Sequence, residues 1–257
     1  MINILLGVLA FAGAMFLGML ALQEVGRRLG ARRLARDPEG ARTGLGAVEG
    51  AIFGLMGLVI AFTFSGAAAR FDVRRQLIAE EANAIGTAYL RVDLLPAEAQ
   101  PKIRELFRRY VDTRLESYDR LPDLPAAREA HARAIALQGE IWNASVEAGR
   151  GMPQSSFLLL PALNQMIDIT TTRMVAIQMH PPLVIFAMLG VLALVCSLLA
   201  GYAMAGGKSR SLVHSVGFAV VLTLTVYVIL DLEFPRVGLI RVDATDQVLR
   251  DVRQSMR

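Results

Sequence analysis

The sequence predicts an all-α membrane protein with four transmembrane helices and an inserted, water-exposed helical bundle. The 257 residues are 54% hydrophobic with a mean hydropathy of +0.45, which is more apolar than an average soluble domain. The excess falls in four stretches, each close to the ~20 residues that cross ~30 Å of hydrocarbon. They are about residues 4–22, 46–69, 182–205 and 212–230. We find neither strand-like alternation nor an internal repeat.

The first stretch predicts a retained membrane anchor. No small-residue cleavage site follows it, and the segment after it is rich in arginine, which is the reverse of a secretory signal. The second stretch contains five glycines, so a buried helix of a soluble protein is the alternative there. The predicted divisions are a membrane hairpin at 1–69, an extramembrane bundle at 70–180, a second hairpin at 181–232 and a tail with a short helix at 233–257.

One long helix is predicted to run from the second stretch into water, because no proline occurs between Pro38 and Pro96. Three amphipathic helices follow at about 99–121, 126–148 and 155–179, separated by "LPDLP" and "GRGMP". Four such helices with short connections predict an antiparallel bundle. The apolar seam of the long helix is predicted at Ile78, Ala82, Ile85, Tyr89 and Val92.

The formal charge of +4 predicts the orientation of the chain in the membrane. All of the net positive charge lies in two short loops: residues 23–45, with six arginines against three acids, and the loop containing Lys208 and Arg210. The positive-inside rule makes these loops cytoplasmic and places the bundle and both termini in the periplasm, at a bacterial inner membrane. Basic residues at a lipid boundary indicate attraction to the anionic lipid bilayer rather than to nucleic acid.

The sequence carries no signature of an enzyme. A nucleophile elbow, a P-loop and a dinucleotide fingerprint are all missing. Glu80 and Glu81 are adjacent, so they lie on different helix faces, and we expect both to be solvated. The three histidines are far apart and Cys196 is the single cysteine. We therefore expect no catalytic residue, no metal site, no disulfide and no cofactor.

Two stripes on the second membrane helix are candidates for function. A stripe of small residues allows another helix to approach closely, either within the chain or between copies of it. It comprises Gly46, Gly50, Gly54, Gly57, Ala61, Ser65 and Ala68. The second stripe has a carboxylate at one end, apolar bulk in the middle and arginines at the other end. It comprises Glu49, Phe53, Met56, Ile60, Thr63, Ala67, Arg70 and Arg74.

In a homo-oligomer the second stripe is predicted to line a pore for small anions, with Phe53, Met56 and Ile60 as a dry constriction. The alternative is that the apolar residues face lipid, while Glu49 extends to the interface or pairs with Arg42 or Lys208. A further charged group, at the predicted membrane edge, is expected to form neutralising pairs. It comprises Asp231, Glu233, Arg236 and Arg241. The terminal helix is predicted in "ATDQVLRDVRQSM", with Val248 and Val252 as its apolar face.

Two blocks of the sequence resemble a bacterial membrane family called bestrophin-like. They are "EGAIFGLMGLVIAFTFSGAAARFDVRRQLIAEEANAIGTAYLRVDLLP" and "LDLEFPRVGLIRVD", and the resemblance extends from about residue 44 to residue 249. It implies four spans with a helical insert. It also implies a relation to bestrophins, which are pentameric anion channels whose second membrane helix lines an apolar neck. The alternative function is a non-conducting scaffold or sensor whose bundle binds a partner.

Overall fold

The computed structural model describes residues 2–37, 45–120, 123–206, 212–236, 238–242 and 245–256. The described chain is helical and contains no strand, which confirms the predicted all-α class. The helices are α1 (Ile2–Arg36), α2 (Leu45–Arg91), α3 (Gln100–Asp119), α4 (Leu124–Ala148), α5 (Pro153–Gln178), α6 (Leu183–Ala203), α7 (Leu212–Glu233) and α8 (Gln247–Ser255). Short 3-10 turns follow α2 and α6, at Val92–Leu94 and Met204–Gly206.

Four helical segments are long and apolar enough to cross a membrane, as the hydropathy predicts. They are Leu6–Arg36, Gly46–Leu94, Pro153–Gly206 and Leu212–Glu233. The first helix is longer than its predicted span of 4–22, because α1 continues through the arginine-rich segment to Arg36. Arginine is a good helix former, and no proline or glycine pair interrupts the helix before Asp37.

Helix α2 is unbroken over 47 residues, which confirms the prediction of one continuous helix. It ends at the 3-10 turn, after which Leu95 adopts an extended conformation. Pro96 explains this end, since a proline disfavours the helical conformation in the residue before it. Helix α4 begins after Asp123, whose side chain accepts a hydrogen bond of 3.2 Å from the backbone nitrogen of Ala126 and so caps the helix.

The chain divides into two compact units. The insert unit contains Arg70–Met179 and Pro235–Arg257, and the span unit contains Ile2–Ala69 and His180–Phe234. In the insert unit, Ile78, Ala82, Ile85, Tyr89 and Val92 are all buried, as the seam predicts. They share one hydrophobic core with residues of α3, α4 and α5, among them Phe107, Tyr110, Ile141, Leu159, Leu163 and Met166.

The described residues from Pro235 onward belong to the insert unit. Helix α8 joins α3 through Arg253, which donates to both carboxylate oxygens of Asp112 at 2.7 and 3.0 Å. The buried apolar residue of α8 is Leu249. Val248, predicted for that face, is exposed. A nine-residue helix has only about two turns. Its hydrophobic pattern is therefore too short to predict which of two neighbouring residues is buried.

Glycines bring α1 and α6 into close contact in the span unit. A Cβ atom on Gly26 would lie 2.0 Å from the carbonyl oxygen of Leu198, and one on Gly201 would lie 2.0 Å from that of Gln23. The backbones therefore approach as closely as small residues allow. By contrast, a Cβ atom on Gly50 or Gly54 would meet no other described atom within 4 Å. In the span unit, the glycines that allow this close contact thus lie on α1 and α6, and not on the Gly50–Gly54 face of α2.

Replacing Gly26 by alanine is expected to destabilise the span unit, because the new methyl group would collide with backbone that cannot move aside. Overpacking of this kind costs about 1–3 kcal/mol. Gly13→Ala on the same helix is the matched control, because its Cβ position is open among the described residues. Thermal unfolding in detergent should show a lower melting temperature for Gly26→Ala alone. Equal melting temperatures for the two variants would contradict the close contact.

Candidate functional site

The stripe predicted to line a pore lies on the side of α2 that faces the other helices of the single chain. Met56 is only 3% exposed and packs in a core cluster that includes Met19 of α1 and Ala219 of α7. The ring of Phe53 lies edge-on to that of Phe218, with 6.2 Å between centroids, and Ile60 packs against the same cluster. In the single chain, the side chains of Phe53, Met56 and Ile60 therefore pack inside their own span unit, and a constriction at these residues stays a prediction.

The polar residues of this stripe are also partly or fully buried. The Thr63 hydroxyl donates back to its own helix, to the carbonyl oxygens of Val59 at 2.7 Å and Ile60 at 3.0 Å. Glu49, Thr63 and Arg70 are half-buried, and Ala67 and Arg74 are buried.

Arg74 binds the last turn of α5 in the insert unit. Its Nε donates to the carbonyl oxygen of Ala176 at 3.2 Å, and its Nη2 donates to that of Met179 at 2.9 Å. Carbonyl groups at a helix C-terminus lack intrahelical partners and carry partial negative charge, so a guanidinium stabilises them. Arg74 therefore caps the C-terminal end of α5, and its place at a pore mouth stays a prediction.

Two faces of α2 remain open in the span unit. From Gly46 to Ser65 the small stripe is exposed, and Ala68 is half-buried. The neighbouring face carries large exposed side chains, with Leu55 and Leu58 about half exposed and Phe62 70% exposed. The helical period of the sequence identifies these faces. It does not predict which of them faces the other helices, because lipid-facing and core-facing residues of a membrane helix are similarly apolar.

The residues of the predicted charge cluster belong to both units, the two acids to the span unit and the two arginines to the insert unit. Asp231 and Glu233 are buried in the span unit, where Nδ1 of His180 lies 3.4 Å from Oε2 of Glu233 and the His180 ring stacks on Phe234. In the insert unit, Arg236 forms a bidentate pair with Asp246, at 2.7 and 3.0 Å. Arg241 is exposed. Asp246, which the sequence prediction did not include, is one partner of Arg236.

The insert unit contains a buried ionic cluster centred on Glu81, which is 0% exposed. Arg114 donates from Nε to its Oε1 at 2.6 Å, and Arg173 donates from Nη1 to its Oε2. The Tyr118 hydroxyl donates to the same Oε2 at 3.2 Å and accepts from Nη2 of Arg114. One carboxylate thus joins α2, α3 and α5.

Glu81 corrects the expectation that both adjacent acids are solvated. Glu80 is exposed and accepts a hydrogen bond of 2.7 Å from Gln76, as predicted. Glu81 lies 100° further round the helix, in register with the buried Ile78 and Ile85. Its place in the apolar seam was therefore a signal in the sequence.

Cations surround the Tyr118 ring. The guanidinium carbons of Arg173, Arg236 and Arg114 lie 4.5, 4.9 and 5.0 Å from its centroid, within the range of cation–π attraction. Burial raises the pKa of Tyr118 to about 12, although Arg114 opposes the rise. Burial, assisted by Arg114, lowers the pKa of His131, whose Nδ1 lies 3.1 Å from Nη1 of Arg114. Near neutral pH Tyr118 and His131 are therefore uncharged, and the net charge of this region comes from its arginine and acidic side chains.

The family model described as Bestrophin-like domain matches residues 13–246. The chain belongs to the Bestrophin-like family. No curated protein and no solved structure matches it. The matched segment of this Bestrophin-like chain contains all of α2 and every member of the Glu81 cluster, together with Arg236 and Asp246. Among the described residues, no group of three or more histidine, cysteine, aspartate or glutamate side chains is placed to hold a metal ion.

Glu81→Gln is expected to destabilise the insert unit strongly, because two buried guanidinium groups would lose their shared carboxylate. Breaking a buried ion pair on one side costs about 3–5 kcal/mol. Glu80→Gln, on the next residue, is expected to leave stability almost unchanged. The melting temperatures of the two purified variants measure the difference. Similar values for both would show that the Glu81 cluster does not hold the helices together.

Proposed function

We propose that this Bestrophin-like protein is a homo-oligomeric channel for small anions in a bacterial inner membrane. The observation that carries the proposal is the open face of α2, where small residues lie beside bulky apolar ones. Family membership supports a channel, since bestrophins, which the sequence resembles, conduct anions. The four apolar segments support contact with the lipid bilayer.

In this proposal the small stripe of α2 packs on a second copy of the chain. Gly46, Gly50, Gly54 and Gly57 have open Cβ positions among the described residues, and such a surface lets membrane helices approach closely. Ala61 continues the same exposed stripe. An interface between copies would use a surface that the span unit leaves uncovered.

The constriction is then formed by the exposed residues Leu55, Leu58 and Phe62, which replace Phe53, Met56 and Ile60 in that role. A ring of apolar side chains excludes water and so resists conduction. These residues lie beside the small stripe on the same helix. A second copy of the chain packed on the glycines would therefore bring its Leu55, Leu58 and Phe62 close to those of the first copy. Of the original stripe, Glu49, Thr63 and Arg70 stay as proposed lining residues at the margin of this face.

Phe62→Ala is expected to raise halide flux into proteoliposomes, because a smaller side chain weakens the apolar barrier. Phe53→Ala is the matched control, since it removes the same atoms from the inward face and should lower the melting temperature without raising flux. A rise with Phe53→Ala alone would restore the originally predicted stripe. If the correctly folded protein passes no halide in either variant, the channel proposal fails.

A non-conducting scaffold or sensor is the second candidate. One observation favours it: the insert unit exposes large apolar side chains at Leu90 and at Phe157, which is 79% exposed. Arg91 donates a 2.5 Å hydrogen bond to the carbonyl oxygen of Leu158, so the segments that carry Leu90 and Phe157 lie side by side. Exposed apolar groups that lie together favour contact with another protein. Absence of flux in the test above would favour this function.

We also propose that the insert unit is an antiparallel four-helix bundle in the periplasm, while the arginine-rich loops are cytoplasmic. The asymmetry of positive charge supports this orientation. In a Cys196→Ser background, Thr87→Cys is expected to react with an impermeant maleimide in outer-membrane-permeabilised cells, and Ser209→Cys is not. Thr87 is exposed on α2. Labelling at position 209 alone would reverse the orientation.

A further inference from the structure

We propose that α1 carries a binding site for one anionic phospholipid, such as phosphatidylglycerol, at the end where its apolar span is followed by arginines. The headgroup phosphate lies on Arg28, Arg32 and Arg36, and the acyl chains lie on apolar residues of the same helix face. This is a defined site, in contrast to a diffuse attraction of basic residues to the bilayer. It does not depend on whether the protein conducts, or on which side of the membrane this end of α1 lies.

Contact with α6 fixes one face of α1 inward. Helix α1 runs unbroken from Ile2 to Arg36, so its apolar span and its arginine-rich end share one helical period. Gly26 and Gly30 are buried, and a Cβ atom on Gly30 would lie 2.7 Å from the carbonyl oxygen of Tyr202 in α6. Gln23, on the same face, is only 3% exposed. Because this face packs on α6, the opposite face of the arginine-rich end is the one left to contact lipid.

That opposite face changes from apolar to basic along the helix. Residues at i and i+4 are neighbours on a helix surface, and here they form two rows whose members are all exposed. The apolar row is Leu17, Ala21, Val25 and Leu29, and the basic row is Arg28, Arg32 and Arg36. Each arginine follows a member of the apolar row by seven positions, which is about two turns, or ~10 Å along the axis. Each arginine is therefore nearly in line with an apolar residue.

This arrangement matches the chemistry of a phospholipid. The apolar row belongs to a segment that is apolar enough to cross a membrane. Leu17 is 65% exposed and Val25 is 44% exposed, so both can contact acyl chains. An arginine side chain can extend along the helix to the membrane interface, and its planar guanidinium can donate two parallel hydrogen bonds to phosphate oxygens. The acyl chains and the phosphate of one lipid thus meet successive parts of one helix face.

The charge of this end of α1 favours an anionic headgroup over a zwitterionic one. Residues 24–37 contain five arginines against two acids. The carboxylate of Glu24 is shared by two of these arginines, at 2.9 Å from Nη2 of Arg27 and 2.7 Å from Nε of Arg28. Among the described residues, no carboxylate lies within ion-pair distance of Arg32. Phosphatidylglycerol supplies a net negative charge there, whereas phosphatidylcholine is neutral overall and is attracted less.

Native mass spectrometry can count the lipids bound to the delipidated full-length protein in neutral detergent. We expect one dioleoylphosphatidylglycerol per chain to saturate first, at a clearly lower concentration than dioleoylphosphatidylcholine. Glycerol 3-phosphate, which carries the phosphate without acyl chains, should not displace the bound lipid, because it cannot contact the apolar row. Equal binding of the two lipids would overturn the proposal. Displacement by glycerol 3-phosphate would also overturn it, since the site would then recognise free phosphate.

Two neighbouring arginines separate a defined site from diffuse attraction. Arg32→Gln is expected to weaken phosphatidylglycerol binding about fivefold, which is the factor that one basic residue near an anionic lipid surface contributes. Arg33→Gln is the matched control, because Arg33 is also exposed but lies ~100° round the helix, towards the face of Gly26 and Gly30. It should change the affinity less than about twofold, since solvent screens charges that do not contact the lipid. Equal losses in the two variants would overturn the proposal.

A structure of the wild-type protein in phosphatidylglycerol nanodiscs gives a test that needs no variant. Density for a phosphate group should lie within hydrogen-bonding distance of the Arg32 guanidinium, with acyl-chain density along Val25 and Leu29. The absence of such density, in a map that resolves the side chains of the basic row, would overturn the proposal as well.

Discussion

One unbroken helix, α2, supplies a seam to each of the two cores. In the span unit the seam includes Met56, and in the insert unit it includes Ile78 and Ile85. A helix in lipid must satisfy its backbone hydrogen bonds internally, so an interruption there would leave polar groups without partners. Because α2 is continuous, its residues follow one helical period. Where one residue of a seam faces the core, the period therefore determines which nearby residues face the core as well. The open faces of α2, and with them the proposed contacts between copies, follow from this constraint.

The two units solve the problem of internal contact differently. The span unit brings α1 and α6 together through Gly26 and Gly201, where bare backbone meets backbone and attraction comes from close packing. The insert unit uses the buried carboxylate of Glu81 to join three helices. A buried ion pair contributes little net stability but is costly to break, so we expect arrangements of the helices that separate Glu81 from its arginines to be disfavoured.

Composition and periodicity were sufficient to predict the helical class, the four apolar segments and the buried seam of α2 in the insert unit. These features depend on hydrophobicity along the chain, which the sequence displays directly. The inward face of α2 in the span unit was not predictable in this way, because Phe53 and Phe62 are chemically alike and only the neighbouring helices distinguish them. Glu81, Arg114 and Arg173 lie far apart in sequence, so their meeting depends on tertiary structure. The spacing of Glu81 within the seam was the one signal available.

The central proposal is that α2 turns its seam inward and packs its glycine stripe on a second copy of the chain. Cysteine cross-linking tests this most directly, with Gly54→Cys and Met56→Cys compared in a Cys196→Ser background in native membranes under mild oxidation. The account predicts a disulfide-linked dimer from position 54 and none from position 56. Cross-linking through position 56 alone, or through neither position in a folded protein, would contradict it.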